Sequence, residues 1–449
     1  MNTQLLFFLL GKKYGFNAGK FRKLAQESQY WDERQVREYQ EALLQPLISH
    51  AYEHVPYYRA LFQDNGISPD SIRSLEDLQK IPVTYKKDLI AKNDLFKADN
   101  IRCLHPMHHH TGGTTGTPCP YLNDRRSWAY NWILKMRTFE WGGFRYGKDR
   151  LGVMAGGSLI PHKDTSMSHS FWRKLNNYYS MPISHLDDNI MKEYYEEIRK
   201  QRIKFLRGYP SSIYTFAKYL SKNGLSIPMR AVFTTAEALF DYQRDLIGQV
   251  FGCKVFDTYG CGDGMGQASE CEEHDGMHIC SEVSIMEIVD SQGHEVKPGE
   301  EGEIVLTSLY DYSMPFIRYA PGDRAIKGAD NCRCGRTGKR IAKLIGRSSD
   351  AFELSNGRTL NAFSFPLEAL TDQIKQYQIV QTTPSDVEVH IVPDTNMTEQ
   401  RLHEIQSLIE YHCGEGITVT VKTTDTIERP LSQKNRFILS KVSRDNGEQ

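Results

Sequence analysis

The sequence predicts an α/β fold: a large N-terminal domain with parallel and mixed sheets covered by helices plus an antiparallel segment, then a small α+β C-terminal domain. Two observations predict it. The runs "IKFLRGYP", "AVFTTAE" and "KVFDTYG" each read as a short strand ending in a polar turn, with the helical stretches "SSIYTFAKYLSKNG" and "LFDYQRDLIGQVFG" between them. Strand, helix, strand, helix, strand is the order of a parallel sheet whose crossovers are helices. Further on, "SIMEIVDSQGHEV" and "EGEIVLTSL" alternate apolar and polar residues, the period of antiparallel strands, and predict a second sheet region with its join at Gln292-Gly293.

The elements follow in order. The first apolar run is "LLFFLL" at 5–10, followed by "GKKYG". It is too short to span a bilayer and lacks the cleavage pattern of a signal peptide, which leaves a helix that packs on the core or skims a membrane. "QVREYQEALLQPLISHAYEHV" then places Leu43, Leu44, Leu47, Ile48 and Ala51 on one helical face, which should dock on the core. At 108–121 the hydrophobic period vanishes: "HHHTGGTTGTPCPY" mixes histidine, glycine and threonine, and each glycine in a helix would cost about 1 kcal/mol against alanine. Glycine's backbone freedom and threonine's short hydroxyl suit close approach to an anion instead. In the parallel sheet that follows, ligands collect at the carboxyl ends of strands, which puts Tyr209, Glu237 and Asp263 near one rim. Beyond "LIGRSSD", "VEVHIV" at 387–392, the helical "EQRLHEIQSLIEYHC" and "ITVTVK" at 417–422 form the small domain. Its boundary is expected near Gly346, giving domains 1–346 and 347–449.

Composition narrows the function classes. With 55 basic against 56 acidic residues among 449 the chain is nearly neutral, so a global attraction to nucleic acid or anionic membrane is not expected, and any partner must be recognised locally. Neither a nucleic-acid partner nor a transmembrane segment is expected. Nine unevenly spaced cysteines do not form a secreted disulfide framework and fit a reducing cytoplasm.

Three groups of residues suggest chemistry by themselves. The loop at 111–118 is not a Walker A loop, because Gly112 and Gly116 have the wrong spacing and Thr117 stands where a lysine would be. Its hydroxyls and backbone N–H groups can still cradle phosphate oxygens. "FTTAEALF" and "VFDTYGCGDG" each put an acidic residue just past a strand, where Asp263 can hold Mg²⁺ and the ring of Tyr259 can stack on a base. In "FIRYAPGDRA" and "LIGRSSD", Asp323 sits in a Pro-Gly turn suited to accept hydrogen bonds from ribose hydroxyls, and Arg347 can bridge phosphate and ribose. Taken singly, each has a plain structural reading as a flexible loop, a helix cap or a hairpin turn.

In this order, "HTGGTTGTP", "TTAE", "YGCGD", "IRYAPGD", "IGRSSD" and a late lysine in "RPLSQKNRFILSKV" resemble the core motifs of the adenylate-forming superfamily of acyl-CoA synthetases. "AYEHVPYYRALF", "LRGYPSSIYTFAKYL", "GMHI", "GEIVLTSL" and "CRCGRTGKRI" are similar to its phenylacetate-CoA ligase branch, and more narrowly to CapK-like proteins of polysaccharide gene clusters. The resemblance covers nearly the whole chain. It implies that a carboxylate attacks the α-phosphate of ATP, pyrophosphate leaves, and the acyl-adenylate passes to a nucleophile. On this reading Thr111, Thr114, Thr115 and Gly116 surround the phosphates, Ala236 and Glu237 lie beside the adenine, and Tyr259 flanks the base. Asp263 takes the magnesium position, Asp323 holds the ribose, Arg347 lies close to it, and Lys434 reaches in from a mobile small domain acting as a lid. Thr117 departs from the lysine usual in the loop, Asp263 from the usual glutamate, Ser349 from the hinge aspartate and Gln433 from the glycine before the catalytic lysine. These departures put more electrostatic work on Lys434, Arg347 and the metal.

"SECEEHDGMHIC" and "NCRCGR" supply cysteines and histidines suited to tetrahedral Zn²⁺. The resemblance favours Cys271, His278, Cys332 and Cys334 as a closed structural set, with His274 or Cys280 able to substitute. The acyl pocket is expected around Gly156, Gly157 and Tyr209, with His110 bordering the phosphate loop and no dedicated basic residue announcing an amino acid or dicarboxylate. The substrate expected is a small carboxylic acid and the acceptor a thiol, amine or hydroxyl, coenzyme A being the leading one. A CapK-like transfer to a sugar amine or hydroxyl and a catalytically lapsed nucleotide-binding scaffold are the alternatives. The sequence leaves room for a homodimer.

Overall fold

The computed structural model describes residues 3–111, 119–156, 177–183, 186–347, 351–361, 365, 373–394, 397–428 and 437–442. The chain forms two compact units, Met1–Leu344 and Ile345–Gln449.

The first unit is built on a parallel sheet in the order Tyr178–Pro182, Leu151–Ala155, Phe205–Gly208, Ala231–Thr235, Lys254–Cys261. Every residue of Leu151–Ala155 and Ala231–Thr235 is buried, as expected when helices cover both faces of a parallel sheet. Those helices have local reasons to start and stop. Asp187 accepts the amide of Ile190 to start Asp188–Lys200, whose Met191, Tyr194 and Ile198 form one buried stripe. Pro210 occupies the first turn of Pro210–Lys222. Asp241–Phe251 ends on Gly252, whose left-handed φ of 61° a side chain with a Cβ would strain.

After Cys261 the chain reverses. Gly266–Glu270 runs antiparallel to Lys254–Cys261, and Met277–Ile279 and Arg340–Arg347 follow in the same ladder. Asp323–Lys327, Glu301–Ser308 and Tyr319–Ala320 continue it, and Thr84–Tyr85 adds a parallel edge, so the expected second sheet region is a largely antiparallel extension of the first, 13 strands in all among the described residues. Ser284–Val289 pairs with Glu301–Ser308, but the join is longer than the sequence suggested. The turn at Gln292-Gly293 closes only the single bridge Val289↔Glu295, and Pro298, which has no N–H to donate, lies between that bridge and the ladder's first pair, Val289↔Glu303. The helix Glu33–His54 docks through Gln40, Leu44, Leu47, Ile48 and Ala51.

In the second unit the strands order as Thr418–Thr423, Asp386–Pro393, Ile374–Thr383, Ile438–Ser440. The helix Glu399–Cys413 covers them with Ile405, Ile409 and Cys413, which meet Ile379, Val387, Val389 and Ile391 in one core.

Candidate active site

The glycine-threonine loop is carried by an antiparallel hairpin, Pro106–His110 against Pro120–Asp124. Its base is pinched shut: Thr111 N donates to Cys119 O at 2.9 Å, and Cys119 N donates to Thr111 Oγ1 at 3.0 Å. Thr114, Thr115, Gly116 and Thr117 lie outside the described residues. Of the three histidines, His108 and His110 are exposed, while the His109 ring is stacked between Tyr121 at 5.5 Å and Trp128 at 4.6 Å.

The return strand of that hairpin meets the turn after Lys254–Cys261. Asn123 Nδ2 donates to Gly262 O at 3.4 Å, and a Cβ built on Gly262 would lie 2.3 Å from Tyr121 Oη. Only glycine allows this approach. One residue on, Asp263 accepts a hydrogen bond from Tyr319 Oη at 2.8 Å and contacts Cys261 Sγ at 3.3 Å. Burial, then the Asp263 charge, pushes the Tyr319 phenol well above its ordinary range, so it stays a donor. Tyr259, two residues earlier in sequence than Cys261, donates from Oη to Asp323 Oδ2 at 2.8 Å. The loop base, the Gly262-Asp263 turn and the Tyr259–Asp323 pair are thus tied together although they span residues 111 to 323.

Neighbouring strand ends hold the rest. Ala236, just past Ala231–Thr235, has a φ of 73°, a strained conformation for a residue with a Cβ. Glu237 accepts the amide of Ser211 at 3.2 Å, in the first turn of Pro210–Lys222, where a carboxylate is favoured by the helix dipole. Tyr209 is fully buried and its amide donates to Met154 O at 3.2 Å. Gly156 is buried at the end of Leu151–Ala155, and Gly157 lies outside the described residues, as do Ser349, Gln433 and Lys434. Arg347 is the last residue of Arg340–Arg347 and falls in the second unit.

Two buried carboxylate clusters escaped sequence reasoning. Asp311 accepts from Asp124 N at 2.8 Å and from Asn123 Nδ2 at 3.0 Å, and Asp124 in turn accepts from Tyr312 N at 2.8 Å. This clasp fixes the strand that returns from the loop. Burial, reinforced by Asp124, pushes Asp311 up to about 8. On the neighbouring strands Asp257 accepts from Thr234 Oγ1 at 2.7 Å, while Glu270 takes Arg244 at 2.7 and 3.0 Å and the Asp257 amide at 2.8 Å. Burial and then Glu270 push Asp257 up to about 7. Neither cluster belongs to a recognisable spacing, because its members come from separate strands and turns.

Cys271, His278, Cys332 and Cys334 converge, with their ligand atoms all within 4.8 Å of one another. Cys271 Sγ and Cys332 Sγ are 3.7 Å apart, and Cys334 Sγ is 3.3 Å from His278 Nε2. Ligands of a tetrahedral zinc, at about 2.3 Å for sulfur and about 2.0 Å for nitrogen, stand roughly 3.5–3.8 Å from each other, so the donor set fits such an ion. A disulfide would require about 2.05 Å. Burial, then Arg340, Arg336 and Arg137, holds His278 down at about 4, leaving the neutral imidazole that ligation needs. The two substitutes are engaged elsewhere: His274 Nδ1 lies 3.2 Å from Glu270 Oε2, and Cys280 Sγ receives Arg137 at 3.4 Å. The knuckle at 332–338 is braced from behind by Arg336, which stacks on Trp141 at 4.6 Å and donates to Gln29 at 3.1 Å and Glu272 at 2.8 Å.

This fold is shared with solved acyl-CoA ligases. The chain superimposes on 2-hydroxyisobutyryl-CoA ligase in its postadenylation state with a TM-score of 0.75, at 21% identity over 92% of this chain and 93% of that one. By sequence it is similar to phenylacetate-coenzyme A ligases, and residues 356–441 match the CapK C-terminal domain. The Thermus thermophilus phenylacetate-coenzyme A ligase is 27% identical over 87% of this chain and 92% of its own length, and Protein CapK of Staphylococcus aureus is 22% identical over 86% and 85%. No helix among the described residues is long and apolar enough to cross a membrane.

Proposed function

We propose that the protein is an ATP-dependent, AMP-forming ligase that activates a small carboxylic acid and hands the acyl group to coenzyme A. The observation that carries this is the joining of loop base, Gly262-Asp263 turn and Tyr259–Asp323 pair in a chain similar to phenylacetate-coenzyme A ligases. In the first step an oxygen of the substrate carboxylate bonds to the α-phosphorus and the bond to the leaving pyrophosphate breaks. In the second the acceptor thiol attacks the acyl carbon, loses its proton, and AMP departs.

Thr111, Thr114, Thr115 and Gly116 surround the phosphates, Ala236 and Glu237 border the adenine, Tyr259 flanks it, and Asp323 holds the ribose with Arg347 nearby. Tyr259, by donating to Asp323, orients that carboxylate toward the sugar hydroxyls. Asp263 offers one carboxylate to Mg²⁺, which would neutralise phosphate charge, and Tyr319 fixes its rotamer. A single carboxylate suits magnesium, which is commonly held by one or two carboxylates together with substrate phosphates and water. The region 347–449 acts as a lid that brings Lys434 to the phosphates. Cys271, His278, Cys332 and Cys334 hold a structural zinc with no position left for water, supported by their spacing. Nine cysteines with no disulfide among them suit a cytoplasmic setting.

The CapK C-terminal match favours one second reading, in which the acceptor is an amine or hydroxyl of a sugar. Incubation with ATP, Mg²⁺, a carboxylic acid and coenzyme A separates the two. Thioester formation matched to AMP release supports the first. AMP release that requires an amino sugar and yields no thioester supports the second, and absence of AMP release with either acceptor refutes both.

A further inference from the structure

The helices Thr3–Tyr14 and Ala18–Ser28 are not used by the site just described. They are firmly seated: Phe7 and Leu10 are 3% and 6% exposed, Phe7 lies 6.2 Å from Tyr146, and Phe21 stacks on Tyr130 at 3.6 Å. Yet Phe8, one position on from Phe7, is 57% exposed. Residues 1–26 also hold Lys12, Lys13, Lys20, Arg22 and Lys23 and no acidic residue, in a chain whose net charge is −1. Arg22 is drawn toward Glu140 at 3.4 Å and Lys23 toward Glu27 at 3.7 Å. Lys12 and Lys20 are exposed, and Lys12 Nζ stands 5.0 Å from the centre of the Phe8 ring, so a basic group and exposed apolar surface sit side by side.

We propose that this helical hairpin docks the protein on an anionic bilayer surface. A helix of 12 residues is about 18 Å long, well short of the roughly 30 Å hydrocarbon layer, so it lies in the interface and does not span it. Phe8 enters the boundary between headgroups and acyl chains while Lys12 and Lys20 meet the phosphates. A neutral surface offers no counterpart for the lysines, and a soluble polyanion none for the phenylalanine. Together they give reversible attachment of a catalytic unit whose overall charge would not attract a membrane.

Co-sedimentation of the full chain with phosphatidylcholine vesicles, and with vesicles containing 30% phosphatidylglycerol, tests this. Binding is expected to the anionic vesicles alone and to be released by 0.5 M NaCl. Lys12→Gln with Lys20→Gln should weaken partitioning about 30-fold, taking about 1 kcal/mol for each basic group near the surface. Phe8→Ser should weaken it as well, with no change in melting temperature because the side chain is exposed. The proposal is overturned if anionic vesicles do not bind, if either variant partitions like the unaltered chain, or if Phe8→Ser instead converts a dimer to a monomer.

Discussion

Gly262→Ala probes the join between the loop hairpin and the Asp263 turn. The new Cβ would lie 2.3 Å from Tyr121 Oη and 3.4 Å from Cζ, so the oxygen must retreat by roughly 1 Å to reach ordinary contact. It has little room to do so, because Tyr121 is buried between His109 and Phe316. Overpacking of this kind costs about 1–3 kcal/mol. The displaced turn carries Asp263 with it, and a misplacement of about 1 Å in a positioned group lowers turnover on the order of 100-fold. Tyr121→Phe removes the offending oxygen and leaves the nearest ring carbon at 3.4 Å. Urea denaturation and acid-dependent pyrophosphate exchange, measured for both single variants and the double, form a closed cycle. The double variant should recover at least about 1 kcal/mol of the loss caused by Gly262→Ala and much of its exchange activity. Additivity within about 0.5 kcal/mol would refute the contact.

Asp311, raised to about 8, contributes stability that is full below its ordinary carboxyl range and is lost as pH rises through about 8. Urea midpoints at pH 6 and pH 9 should fall more for the native chain than for Asp311→Asn, and equal falls would contradict the buried acid. Cys334→Ser or Cys271→Ser should each remove one equivalent of zinc by elemental analysis and raise hydrogen exchange at 332–338, including the Thr337 amide that donates to Gln29 O at 3.2 Å. Retention of zinc in both variants would exclude the quartet as its site. Lys434→Ala should abolish adenylation yet spare transfer from a preformed acyl-adenylate, and equal losses in both half-reactions would remove its assigned role.

The parallel half of the fold was legible between residues 203 and 260, where strand and helix periods alternate cleanly and proline at 210 and glycine at 252 stand at helix ends. The strands Leu151–Ala155 and Tyr178–Pro182 and the helix Asp188–Lys200 were not read from the sequence. The antiparallel half was legible as strands but not as a continuation of the same sheet. Which edge a strand joins is set by long-range pairing, such as Met277 opposite Ile341, that no local period encodes. Ligand chemistry alone left six candidate cysteines and histidines and the resemblance favoured four; in the structure those four converge, while His274 and Cys280 are engaged by Glu270 and Arg137. Asp124 and Asp311 were invisible because one is an ordinary strand-end residue and the other an ordinary loop residue until the fold sets them against each other.

The most direct test is exchange of labelled pyrophosphate into ATP with Mg²⁺ over panels of aryl, aliphatic and amino acids. Exchange that requires one of these acids and is lost in Asp323→Ala is the predicted result. Exchange with no acid present, or none with any acid, would contradict an acid-activating nucleotide site.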